Sequence, residues 1–89
     1  MPVFMVERFL PVLGLGGVEA QALRDDALAR RADLRHVRTT YSREDELCFS
    51  VFEAPSREAV IDANDQAGMA YERISEVVDA RAVACEEGS

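Results

Sequence analysis

Residues 34–55 read LRHVRTTYSREDELCFSVFEAP. Two runs of β-formers flank the polar five-residue knot Ser42-Arg43-Glu44-Asp45-Glu46, which is a β-hairpin written in one dimension, with strands expected near 34–41 and 47–53. Residues directly opposite in an antiparallel pair share a face, so the register sorts the side chains. An even sum of opposing numbers puts Val37, Thr39 and Tyr41 with Leu47, Phe49 and Val51, and His36, Arg38 and Thr40 with Cys48, Ser50 and Phe52. An odd sum would set His36 and Arg38 beside Phe49 and Val51. The even register separates an apolar face from a mixed polar one and is the one expected here.

Working outward, Pro2–Leu10 (PVFMVERFL) reads as a strand apolar on both faces and therefore central in a sheet. Pro11 ends it, and Leu13–Gly17 (LGLGG) is expected as a link before a helix. That glycine cluster matches neither GxGxxG nor GxxxxGK[ST], so a phosphate loop is not indicated. Val18–Ala32 is expected as a helix, with Glu19 near its positive end and Arg30 and Arg31 near its negative end. Its charges Arg24, Asp25, Asp26, Arg30 and Arg31 read as a solvated face, with Asp26 and Arg30 spaced to pair. After the hairpin, Ser56 is placed to N-cap a second helix with Glu58 in its first turn. Val60, Ala63 and Ala67 mark its buried stripe with Ala59 alongside, and Gly68 stops it. Tyr71–Val78 is expected as a last, weaker strand.

The order β-α-β-β-α-β fits the split βαβ plan: an α+β domain with a four-stranded antiparallel sheet, strand order 4-1-3-2, and two helices on one face. At 89 residues there is room for one domain, taken as residues 1–79. Residues 80–89 are expected as an acidic, frayed tail. The uncovered sheet face, assigned His36, Arg38, Cys48, Ser50 and Phe52, is a candidate contact surface that a homodimer would bury.

A net charge of −7 argues against nucleic acid and anionic membranes as partners. No apolar run reaches the ~20 residues of a membrane span, and the N-terminus lacks a signal-peptide pattern, so the cytoplasm is the expected location. Two cysteines, Cys48 and Cys85, make neither a disulfide framework nor a CxxC pair. His36 is the single histidine. With Glu7 and Cys48 on the same face it would offer an N/O/S donor set suited to a borderline divalent ion such as nickel or zinc. Arg38 and Ser50 are the companion candidates for holding a small ligand, while Glu53 and Asn64 read as structural caps. The enzymatic alternatives are a cofactor-free isomerase or monooxygenase-like dimeric α+β barrel with His36 as base, and, from the start Met1-Pro2, a proline-amine tautomerase.

Phe4-Met5-Val6-Glu7-Arg8 with Leu10-Pro11, Val37-Arg38-Thr39-Thr40, Cys48 through Ser56 (CFSVFEAPS), and Ala63-Asn64 with Ala67-Gly68 resemble a family of small bacterial proteins catalogued mostly as a domain of unknown function. A characterised member of it is described as a nickel-binding protein. The likeness runs from about residue 3 to residue 78. It implies a ferredoxin-like fold and a dimer, and it points to nickel without assigning ligands. The Gly-Leu-Gly-Gly of the first loop and the tail beyond Asp79 depart from the family pattern. The expectation is therefore a small cytoplasmic homodimeric binding protein for a divalent metal or small ligand at or beside the open sheet face.

Overall fold

A computed structural model of the chain describes residues 1–11 and 15–78; the expected tail lies outside them. Strand β1, Val3–Phe9, alternates buried and half-buried positions, as a strand between two neighbours must. Helix α1, Leu15–Ala32, begins earlier than expected: Gly16 and Gly17 lie in its first turn, where the backbone N–H groups have no intrahelical partner anyway. Glu19 therefore falls beyond the first turn, while Arg30 and Arg31 do occupy the last.

The hairpin strands are β2, Arg35–Ser42, and β3, Leu47–Glu53. Ser56 caps α2, Arg57–Gln66, by accepting from the Ala59 N–H, and Glu58 lies in the first turn. Both helices end the same way. Residue 33 or 68 takes a left-handed conformation (Asp33 φ 60°, Gly68 φ 68°), and the next N–H reaches back five residues: Leu34 to the Ala29 carbonyl at 2.8 Å and Met69 to that of Asn64 at 2.9 Å. Strand β4 is Arg73–Val77. The four strands form one antiparallel sheet in the order β2-β3-β1-β4, the expected ferredoxin-like arrangement.

The hairpin register departs from expectation. Arg35 and His36 oppose Glu53 and Phe52, with even sums, but a β-bulge between His36 and Arg38 leaves Val37 over. From there the pairs are Arg38↔Val51, Thr39↔Ser50, Thr40↔Phe49 and Tyr41↔Cys48. One spare residue keeps His36 beside Phe52 and still turns Arg38 to the other side.

The faces are also exchanged, independently of the bulge. Ser50 hydrogen-bonds to Asp25 of α1, and Arg8 to Asn64 of α2. Ser50 is opposite Val6, and Cys48 opposite Arg8. Phe4, Val6, Arg8, Cys48, Ser50, Phe52 and His36 thus lie under the helices, both of which cover this one face. Phe4, Val6, Phe52, Ala54 and Ile74 close the core with Leu28 and Ala29 of α1 and Val60 and Ala63 of α2. The uncovered face carries Val3, Met5, Glu7, Leu47, Phe49, Val51, Arg38 and Thr40, so it is the more apolar of the two assignments. No helix of the described residues is long and apolar enough to cross a membrane.

Candidate functional site

The polar side chains on the covered face converge on Asp25. Gln21, Asp25, Leu28 and Ala29 form the buried stripe of α1, so Asp25 points into the sheet rather than to solvent, and it is fully buried. Its Oδ2 accepts from Ser50 Oγ at 2.6 Å and Thr39 Oγ1 at 2.7 Å, its Oδ1 from Gln21 Nε2 at 3.1 Å. Arg8 Nη2 stands 3.7 Å from that Oδ1. These donors satisfy the oxygens of the buried carboxylate.

Arg8 is the matching cation, 3 % exposed. Its Nη1 donates to the Ala70 carbonyl at 2.9 Å and its Nη2 to Asn64 Oδ1 at 2.6 Å. Asn64 is held in place in turn by donating to the Val60 carbonyl. Arg8 Nε has no partner, the only buried side-chain nitrogen or oxygen of the described residues in that position. Desolvation pulls the guanidinium below its ordinary pKa, and Asp25 and Cys48 oppose that shift.

His36 links the cluster to the surface. Thr39 gives its hydroxyl hydrogen to Asp25, so His36 Nε2, 2.8 Å from that oxygen, is the donor between them. Nδ1 lies against Asp26 Oδ1 at 2.5 Å, a bond that requires a proton between the two, on the ring or on the carboxylate. Asp26 thus engages His36 from α1. The ring packs on Phe52 with centroids 5.5 Å apart.

The residues expected as a site are not brought together. Glu7 is on the uncovered face, opposite Phe49 and Arg73, and accepts from Arg73 Nε at 2.8 Å. His36 and Cys48 are on the other face. They oppose Phe52 and Tyr41 respectively, so four residues of β3, roughly 13 Å, separate their levels. Arg38 and Ser50 are divided by the sheet in the same way, because the bulge turns Arg38 outward with Val51. Cys48 is a buried free thiol. Burial pushes its pKa up, against the opposing effect of the neighbouring Ser50 hydroxyl. Both His36 nitrogens are already engaged, which leaves neither as a base.

A metal does not fit these residues. Among the described residues no group of three or more His, Cys, Asp or Glu side chains is placed to hold one. On the uncovered face the carboxylates of Glu7 and Glu53 are each 2.8 Å from an arginine, Arg73 and Arg35. Glu53 is therefore an ion-pair partner at the strand end. Asn64, read as a cap, is a buried ligand of Arg8. The residues that sequence reasoning missed are Asp25, Gln21 and Arg8. The helical stripe running from Gln21 through Asp25 to Leu28 and Ala29 carried the signal for the first two.

The profile of a family described as "Nickel responsive protein SCO4226-like" matches residues 4–77 of the chain. Among solved structures, "Crystal structure analysis of SCO4226 from Streptomyces coelicolor A3(2)" is similar with a TM-score of 0.69 and 22 % identity, covering 84 % of this chain and 94 % of that one. At that identity the likeness concerns the fold. No curated protein matches the chain.

Proposed function

The chain belongs to the SCO4226-like family of nickel responsive proteins, and from that premise we propose that it is a small homodimeric binding protein, not an enzyme, that pairs through its uncovered sheet face. The observation that carries this reading is the composition of that face: Met5 and Phe49 are half-buried on its central strands, on either side of the buried Val51, with no described helix packed over them. Apolar surface of this kind is buried most simply against a second copy of itself. The Glu7–Arg73 and Arg35–Glu53 pairs at its two ends neutralise charges that would otherwise resist burial.

Nickel is the ion that the family description names. The side chains of one protomer do not fit it as a set, so no step of the proposed function runs through the metal. The engagement of both His36 nitrogens and the buried, protonated Cys48 thiol support binding over catalysis.

Sedimentation velocity on tag-free protein tests the assembly. The expected species has twice the chain mass, and Phe49→Arg converts it to monomer with an unchanged far-UV spectrum. A wild-type monomer at about 100 μM, a concentration at which even a weak specific dimer forms, would sink the reading. Calorimetric titration with nickel alone tests the metal. Any affinity found should be the same in His36→Ala, since that ring is committed to Asp26 and Thr39.

A further inference from the structure

We draw no further inference here: the strongest candidate, the groove between helices α1 and α2 lined by Leu28, Ala32 and Ala63 and edged by Arg31 and Gln66, is an unpartnered surface, and nothing in the structure shows what covers it.

Discussion

At the level of single residues, Asp25 holds four elements together: its own helix α1 through Gln21, β2 through Thr39, β3 through Ser50, and β1 through Arg8. Asp25→Asn removes the carboxylate that, among the described residues, pairs with Arg8, and leaves a buried cation uncompensated. Breaking a buried pair in this way costs about 3–5 kcal/mol, so the urea midpoint should fall steeply; a change below ~1 kcal/mol would show that the pair contributes little. Cys48 gives a pH dependence. Its thiol pKa is raised by burial in the folded chain, so above the unfolded value of ~8.5 the unfolded chain loses its proton first. The contribution is intact below that pH, and stability declines as pH rises toward the folded pKa, by at most ~1.4 kcal/mol per unit. Measured in a Cys85→Ser background, Cys48→Ala should flatten that decline, and iodoacetamide should label native Cys48 only on unfolding. The residue scale was the least legible in the sequence. Asp25 sits among Arg24, Asp26, Arg30 and Arg31, and charge composition alone reads such a run as solvated. Its position four residues after Gln21 and three before Leu28 is what places it inside.

At the level of elements the sequence was read well. Helix α2, its Ser56 cap, its Gly68 stop and every strand fall where turn chemistry and β-former runs place them. The start of α1 and the hairpin register do not. Parity arithmetic assumes one residue per level, and a bulge breaks that assumption without leaving a composition signal: Val37 is as good a β-former as its neighbours. Deleting Val37 should therefore be tolerated, at a cost below ~2 kcal/mol, because Arg35, His36 and Arg38 keep their partners in a regular ladder. Deleting Thr40 instead lets the bulge be absorbed by turning Arg38 onto the covered face, and the protein should lose most of its stability. Thermal melts of the two deletions, compared side by side, decide the point. Gly68→Ala isolates the backbone term at the end of α2. Nothing lies within 4 Å of the added Cβ, so the ~1–2 kcal/mol expected loss is the cost of the left-handed conformation alone.

For the molecule as a whole, the fold class was legible because element order and strand lengths restrict an α+β chain of this size to few topologies. Which sheet face stayed open was not: the helices cover the side with Cys48, Ser50 and Phe52, where polar bonds to Asp25 rather than the more apolar run Leu47, Phe49 and Val51 meet them. With a net charge of −7 on each chain, two copies repel as they approach. Added salt should therefore tighten the dimer, and raising sodium chloride from ~20 to ~300 mM, which shortens the screening length several-fold, should lower the dissociation constant. A constant that rises with salt would mean that cross-chain ion pairs dominate the contact. The cluster at Asp25 also bears on time. Its bonds join residues as distant in sequence as Arg8 and Asn64, and those from Asp25 to the sheet cannot close until α1 has docked. Interactions formed that late are absent from the folding barrier and resist only the way out. The Arg8–Asp25 pair is thus a latch: cutting it should speed the rate of opening while leaving the rate of closing almost as it was.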